Sequence, residues 1–484
     1  MKEPETRRES LHLDHVMGFL ASQVSLSNVT CNSKDLKELE GFLKGLESGI
    51  SGWGRDVSSD CCNWTGVNCS SSAVGVETST ESGKRVGVEK LNGQNVLLLI
   101  SNLDISPEEV AILKQIMYTE EGKPRTKILN SKKMPIQDPI VYEVVWLPVV
   151  VDRRLPWTED MQRDFDRLQS IMPWYSVQHP SLVHPGVIKY IKEFWHFNRK
   201  PILVVLDPHG RVVRLNALHM TWIWGSFAFP FTRHREEELW REETTWRLER
   251  LVSRRRYAGY EGLVDGMDEN VLNWIERKAF ICLYGGDDID WIRKFTTKAR
   301  AVAQEAGLPF EMMYVGERNT NKERVRTNIG IITSDKLSYC WEDPTLIWYF
   351  WIRLESMWYS KMQQRYSKEN DSIMKGIITM LIFDSSDQGW ALISERSKIM
   401  VKDMGDTILK CFNRYDSWKE NVGVKGSFIQ ALRDQLEHLR TTRHHCIRLT
   451  LPETEEMIPE IVGCSDCRRI MKKSVSVTYS CYED

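Results

Sequence analysis

The sequence predicts an α/β fold, in which a small cysteine-bearing helical segment precedes two domains of alternating strands and helices. Three observations predict it. The apolar runs NVLLLIS (95–101) and FICLYGG (280–286) have the length of buried strands. Amphipathic helical patterns follow both runs. Finally, the cysteines form clusters at the two ends of the chain, before residue 70 and after residue 445.

Length and composition bound the class of protein. A chain of 484 residues allows about three domains of ~150 residues. The formal net charge of -2 gives no basic excess, so we expect no nucleic-acid partner. The most apolar helical stretch, 345–352, stops at Arg353, short of the ~20 residues that span a bilayer. We therefore expect no membrane span, and the mixed charges of the first ten residues make a poor secretory signal.

The first segment has the chemistry of a secreted, disulfide-stapled module. Residues 31–53 show helical spacing of leucines, and Asn63 and Asn68 begin glycosylation acceptor sequences. Four cysteines are disulfide candidates: Cys31, Cys61, Cys62 and Cys69.

The region from about 27 to 92 resembles the N-terminal cap of plant leucine-rich-repeat receptors, closest to the phytosulfokine-receptor type. The shared features are the Thr30-Cys31-Asn32 start and the run Cys61-Cys62-Asn63-Trp64-Thr65-Gly66-Val67-Asn68-Cys69. In that family the paired cysteines close disulfides and the cap covers a solenoid end. No leucine-rich repeat follows here. We interpret residues 1–92 as a fused cap-like fragment, and a secreted receptor-like fragment acting through the cap is the alternative.

The apolar patterns between residues 93 and 232 predict strands and helices in the order β-α-β-α-α-β-β. Ser106-Pro107 and Glu109 form a helix-start signal, and Gly122 ends that helix. Asp207-Pro208-His209-Gly210 suits a type I turn between two strands. The predicted strands are 95–101, 142–150, 202–206 and 211–215, and the predicted helices begin near 107, 161 and 187.

Residues 94 to 217 resemble the thioredoxin-like fold of the nucleoredoxin and tryparedoxin branch. The resemblance rests on Met172-Pro173-Trp174, on a proline before a strand, and on the D-P-x-G-x-V-V hairpin that begins at Asp207. It implies a cis bond at Pro201. The position of the redox cysteine pair reads SNLDISPEE (101–109) and holds no cysteine. We therefore expect a redox-inactive thioredoxin-like domain over 93–232.

Residues 233–260 form a charge-dense linker. Both charge signs surround an arc that includes Trp240, Leu248 and Leu251. This pattern predicts a connecting helix, with a self-association helix as the alternative.

The remaining residues, 261–484, predict a second α/β domain. A strand at 280–286, a helix from Asp288 to about Ala306 and a strand at 309–316 form one strand-helix-strand unit. The Gly285-Gly286 turn could hold phosphate at the helix N-terminus, but three aspartates in the next four residues would repel an anion. We expect these aspartates to cap the helix. The tryptophan-rich helix after Pro344 is expected to be buried in a core or a subunit interface.

The tail, 444–484, carries the metal candidate. Cys446, Cys464, Cys467 and Cys481 have the spacing C-x17-C-x2-C-x13-C, and four thiolates suffice for a structural zinc site. Disulfides or free thiols are the alternatives. The single cysteines Cys282, Cys340 and Cys411 are expected to be buried small hydrophobic residues.

Residues 93–484 resemble the sieve element occlusion family of plant phloem proteins, which includes the legume forisome subunits. The motifs are Tyr284-Gly285-Gly286, Asp290-Trp291-Ile292, Gly389-Trp390-Ala391 and the tail from Ile458 to Cys481. The resemblance implies a cytoplasmic, non-enzymatic structural protein of sieve elements, which assembles into filaments with itself and with related subunits. In that family the filaments plug sieve plates after wounding, and in the forisome branch calcium triggers the change of shape.

Two departures limit the resemblance. Family members begin with a further helical domain, and they end in a Cys-Cys-His-type tail where this chain has Cys481-Tyr482. A thiol oxidoreductase acting through Cys464 and Cys467 is the least favoured function.

Overall fold

The computed structural model describes residues 76–78, 85–86, 88–91 and 93–440. Within the last range it leaves out 119–126, 130–134, 141, 150–156, 184, 199, 243–246, 253–267, 319–321, 364–370, 385–388 and 426. The chain divides into two compact units, Met1–Leu239 and Trp240–Asp484. Both are mixed α/β units with a sheet of their own.

The first unit contains a seven-stranded sheet of order β2-β1-β7-β6-β3-β8-β9 and a two-stranded sheet of β4 and β5. Its strands are β1 (Val76–Thr78), β2 (Arg85–Val86), β3 (Asn95–Ser101), β4 (Lys127–Leu129), β5 (Pro135–Ile140), β6 (Tyr142–Pro148), β7 (Tyr175–Val177), β8 (Ile202–Leu206) and β9 (Val212–Arg214). Its helices are α1 (Pro107–Met117), α2 (Glu159–Ile171), α3 (Pro185–Phe194), α4 (Leu218–Trp224) and α5 (Arg233–Arg241), which runs across the boundary between the units.

Strand β3 is the centre of this sheet. Every residue from Val96 to Ile100 is buried, as a strand covered on both faces requires. Leu98 pairs with Val145 of β6 in a parallel ladder and with Val204 of β8 in an antiparallel ladder. The apolar run NVLLLIS therefore forms the strand that the sequence predicts.

Helix α1 begins where the capping signal predicts. The Ser106 hydroxyl accepts a hydrogen bond from the Glu109 N–H at 3.1 Å, and Pro107 occupies the first turn. The helix ends at Met117, earlier than the predicted stop at Gly122, because Tyr118 takes extended backbone and is buried. Gly122 itself lies outside the described residues.

The expectation of a cis bond at Pro201 is wrong. Within the described part of the chain the cis peptide bond is Phe229–Pro230, and the Lys200–Pro201 bond is trans. Trans is the lower-energy isomer of a bond before proline.

The second unit is built on a five-stranded sheet of order β12-β11-β10-β13-β14. Its strands are β10 (Phe280–Gly285), β11 (Phe310–Tyr314), β12 (Tyr339–Cys340), β13 (Trp390–Glu395) and β14 (Lys398–Met404). Its helices are α6 (Leu248–Val252), α7 (Glu269–Glu276), α8 (Ile289–Glu305), α9 (Lys322–Ser334), α10 (Pro344–Gln363), α11 (Ser372–Asp384), α12 (Gly405–Asn413), α13 (Lys419–Lys425) and α14 (Phe428–Arg440).

Strand β10 separates a parallel half of this sheet from an antiparallel half. It pairs in parallel with β11 and antiparallel with β13. The tryptophan-rich helix α10 is buried within the unit, and Trp351 and Trp358 are 2% and 1% exposed. Among the described residues, no helix is both long enough and apolar enough to cross a bilayer.

The charged segment 233–260 is not a single helix as predicted. Helix α5 ends at Arg241 and α6 begins at Leu248. Between them Arg247 forms a β-bridge with Lys398, and the Leu248 N–H bonds the Ser397 carbonyl at 2.9 Å. Pairing with the β13–β14 turn therefore breaks the helix. Trp240 is not on a solvent-exposed face of this segment. It is buried, and its indole N–H donates to the Ser360 hydroxyl at 2.8 Å.

Candidate functional site: a glycine–tryptophan cluster

Three sequence motifs of the second unit meet at one end of its sheet. Gly285 at the end of β10 pairs with Trp390 at the start of β13, and Trp390 pairs with Met404 at the end of β14. The cluster consists of four glycines and two tryptophans: Gly285, Gly286, Gly389, Gly405, Trp291 and Trp390. Sequence reasoning missed Gly405, although a glycine at a strand-to-helix junction is a signal for close packing.

The ring of Trp291 is held by three of these glycines. A Cβ atom on Gly389 would lie 2.5 Å from the Trp291 ring, and one on Gly286 would lie 3.2 Å from it. A Cβ on Gly405 would overlap the ring and would also lie 2.7 Å from the Gly389 carbonyl oxygen. Only glycine lets the backbone approach the indole this closely.

Trp390 forms the second layer of the cluster. It is fully buried, and a Cβ on Gly285 would overlap its indole. Its ring meets the edge of Trp351 at a centroid distance of 5.9 Å, and the Trp351 N–H donates to the Val315 carbonyl at 3.0 Å. The aromatic layer thus joins β13 to helix α10 and to the end of β11.

Hydrogen bonds fix the loop after β10. The Tyr314 hydroxyl donates to the Gly286 carbonyl at 3.0 Å, and the Asn328 amide donates to the Asp287 carbonyl at 3.0 Å. Burial raises the pKa of Tyr314 well above its usual range, so the phenol stays protonated and keeps donating.

The N-terminus of α8 is occupied by its own cap, as the sequence predicts. The Asp288 carboxylate accepts from the Asp290 N–H at 2.9 Å and from the Trp291 N–H at 3.3 Å. These donors are therefore not open to a phosphate, and a carboxylate stands where the anion would lie. The cluster ties four elements together and presents no nucleophile or acid–base pair.

The first unit holds no thiol in the loop after β3, where the resemblance would place a redox cysteine pair. Residues 94–217 include no cysteine. Ser101 is buried and accepts from the Trp146 indole N–H at 2.9 Å. Burial raises the pKa of Glu109 to about 7, with a further rise from Asp104 and an opposing effect of Lys200. Neither group can exchange a disulfide.

A buried ionic group in the first unit was not predicted. The Glu236 carboxylate contacts His219 at 2.9 Å and Arg214 at 2.7 Å, joining α5, α4 and β9. Burial lowers the pKa of His219, outweighing its hydrogen bond to Glu236. Glu236 is 2% exposed and His219 is 5% exposed, so the group has little access to a substrate.

The three single cysteines are buried free thiols, as predicted. Burial raises the pKa of Cys282 and of Cys340, which disfavours the reactive thiolate. No group of three metal-ligating side chains occurs within the part of the chain that the structure describes. The zinc candidates Cys446, Cys464, Cys467 and Cys481 lie outside those residues, as do the disulfide candidates Cys31, Cys61, Cys62 and Cys69.

Comparisons with known proteins match two different parts of the chain. Residues 32–70 match the leucine-rich-repeat N-terminal domain, and phytosulfokine receptor 1 of Arabidopsis thaliana is 35% identical over 85 residues. That match covers 17% of this chain and 8% of the receptor. The N-terminal resemblance to a receptor cap is therefore confirmed.

Most of the chain matches a different group. Protein SIEVE ELEMENT OCCLUSION B of Arabidopsis thaliana is 41% identical over 408 residues, which is 83% of this chain and 52% of that protein. Protein SIEVE ELEMENT OCCLUSION A of the same plant is 36% identical over 403 residues, or 81% of this chain and 44% of that protein. The chain thus spans about half the length of these curated relatives. Residues 234–483 match the sieve element occlusion C-terminus, and the chain belongs to the sieve element occlusion family.

Proposed function

We propose that this chain is a structural phloem protein, which self-assembles into filaments in sieve elements and contributes to sieve-plate occlusion after wounding. The observation that carries the proposal is the family match over 234–483, together with relatives named for sieve element occlusion at 41% and 36% identity. Self-association and association with related subunits follow from the same proposal. Calcium responsiveness enters it by resemblance to the forisome branch.

The chemistry of the described residues supports a role without catalysis. The motif residues of the glycine–tryptophan cluster pack closely against one another. The thiols of Cys282 and Cys340 are kept protonated by burial, and the loop 101–109 offers no redox thiol. These features favour a packing scaffold over a thiol oxidoreductase.

We propose that the first unit is a redox-inactive thioredoxin-like domain. Its central β3 has a parallel neighbour, β6, and an antiparallel neighbour, β8, and β8 continues into the hairpin strand β9. The Asp207–Gly210 turn closes that hairpin through a 2.9 Å bond from the Gly210 N–H to the Asp207 carbonyl. This arrangement of strands supports the proposal.

The tail cysteines remain a proposed structural zinc site of four thiolates. The test is the zinc content of the full chain purified without chelator, compared with a Cys464→Ser, Cys467→Ser variant. About one zinc per chain in the first and none in the second supports the site. A folded full chain without zinc contradicts it.

The functional proposal is tested in the tissue that it names. The full chain, carrying a fluorescent tag, is expressed in phloem and imaged before and after wounding. We expect filaments or aggregates in sieve elements that gather at sieve plates after injury. Diffuse fluorescence that does not change on wounding would contradict the proposal.

The receptor-like alternative is favoured by the match of residues 32–70 to a leucine-rich-repeat N-terminal domain. It requires export, so it predicts glycans on Asn63 or Asn68. Treating the chain from plant tissue with a glycosidase and measuring its mass decides this point. A loss of mass supports the secreted fragment, and an unglycosylated chain in the cytosolic fraction rejects it.

A further inference from the structure

Strand β11 has an edge that is only partly paired. On one side all five of its residues pair with β10. On the other side β12 reaches only Met313 and Tyr314, and β12 is the last described strand of the sheet. Residues 310–312, here called the open edge, therefore have no strand partner on that side within the described residues.

The backbone groups of the open edge can be assigned from the ladder. The Phe280 N–H bonds the Pro309 carbonyl and the Val315 N–H bonds the Tyr284 carbonyl, so odd-numbered residues of this strand face β10. In a parallel ladder the intervening residues face the other way. Three backbone groups consequently point to the open side: the N–H and the carbonyl of Phe310 and the N–H of Met312. The Met312 carbonyl is already used, because it accepts in the pairing of Met313 with Tyr339.

A cleft of about 380 Å³ lies along the open edge. Its walls include Phe310, Met312 and Glu342. Glu342 and Lys336 are both exposed on its walls, while Arg300 already donates to the carbonyls of Lys336 and Leu337. A cleft with two N–H groups and one carbonyl that have no strand partner among the described residues fits an extended peptide, which binds by adding a strand.

The first unit offers a strand with matching features. Strand β9 is the last described strand of its sheet. Val213 lies opposite no residue of β8, because the register passes from Val205–Arg214 to Leu206–Val212, and its side chain is 38% exposed. Beside it, Arg211 is exposed and carries the charge opposite to that of Glu342. Strand β9 is three residues long, which equals the open edge.

We propose that β9 of one copy of this chain adds to the open edge of β11 in a second copy. Donor and acceptor belong to different units of the chain, so a copy that donates through its first unit keeps the acceptor of its second unit for another neighbour. Such a heterologous contact produces an open filament unless its rotation closes a ring. The inference deepens the proposed function, on which it rests, by naming the surfaces through which copies assemble.

The test reverses one charge on each side of the contact. Arg211→Glu and Glu342→Arg should each raise the lowest concentration at which the full chain assembles by about tenfold. An equimolar mixture of the two variants restores opposite charges at every junction, so it should assemble as the unmodified chain does, and so should the double variant. The control is Glu437→Arg, an exposed reversal in the same unit away from the cleft, which should change nothing. Sedimentation velocity measures these five samples and the unmodified chain.

A second pair of variants tests the backbone pairing. Phe310→Pro removes an N–H that faces the cleft, while Phe310→Thr removes the same ring and keeps the N–H. The proline variant should assemble less than the threonine variant. The comparison is made on variants that both keep the circular dichroism spectrum of the parent. Assembly of Arg211→Glu and Glu342→Arg at the parent concentration, or mixing without rescue, overturns the inference and leaves self-assembly intact. An unmodified chain that stays monomeric contradicts the proposed function instead.

Discussion

Replacing Gly405 by alanine tests whether the glycine–tryptophan cluster holds the second unit together. The new Cβ would overlap the Trp291 ring and lie 2.7 Å from the Gly389 carbonyl oxygen, and side-chain Cβ atoms essentially never approach other atoms within 3.0 Å. Neither neighbour is a flexible chain end, because Trp291 stacks on Phe295 at 4.9 Å and the Gly389 carbonyl accepts from the Gly405 N–H at 2.5 Å.

The size of the effect follows from two opposing contributions. Overpacking of this kind costs about 1–3 kcal/mol or more, and the added backbone overlap puts Gly405→Ala at the upper end, about 3 kcal/mol. Alanine recovers about 0.5–1 kcal/mol by restricting the unfolded chain. We therefore expect a net loss of about 2 kcal/mol in the free energy of unfolding.

Gly330 provides the matched control. It lies inside helix α9, and a Cβ there would have no atom within 4 Å. Gly330→Ala should therefore stabilise the unit by about 0.5–1 kcal/mol. In scanning calorimetry of the full chain, the transition of the second unit should fall by about 4–8 °C for Gly405→Ala and rise by about 1–4 °C for Gly330→Ala. Equal shifts for the two variants would refute the packing argument.

Three further predictions concern other parts of the chain. The pKa of Glu109 is about 7 in the folded state and 4.5 in the unfolded state, so the free energy of unfolding falls as pH rises from about 4.5 to 7. Glu109→Gln should remove this pH dependence and add about 1–3 kcal/mol to the free energy of unfolding at pH 8, measured by urea unfolding. Lys361→Met should cost about 2 kcal/mol, because Lys361 bonds the Asp371 carboxylate at 2.9 Å and lies 4.2 Å from the Trp240 ring centre, whereas Lys361→Arg should cost less. The full chain should not accelerate reduction of insulin disulfides, and acceleration that Cys464→Ser abolishes would revive the oxidoreductase alternative.

Local patterns predicted much of the fold. The run at 95–101 is a strand over its whole length, and helix α8 spans Ile289–Glu305 with Asp288 as its cap, as its sequence indicates. Such elements are predictable because burial and capping are encoded by near neighbours in sequence. The expected Asp207–Gly210 turn is present for the same reason.

What the sequence could not predict depends on distant partners. The break between α5 and α6 comes from pairing of Arg247 with Lys398, which are 151 positions apart in the chain. The place of Gly405 against Trp291, and the meeting of Glu236 with Arg214, likewise arise from tertiary packing. The resemblance predicts a cis bond at Pro201, whereas the structure has its cis bond at Pro230 among the described residues.

The central claim is that this chain is a self-assembling structural subunit. The most direct measurement is negative-stain electron microscopy of the purified full chain over a concentration series, paired with sedimentation velocity of the same samples, with and without calcium. The account predicts that filaments appear above a threshold concentration and that the monomer concentration stays constant beyond it. A chain that sediments as a monomer at every concentration in both conditions would contradict the account.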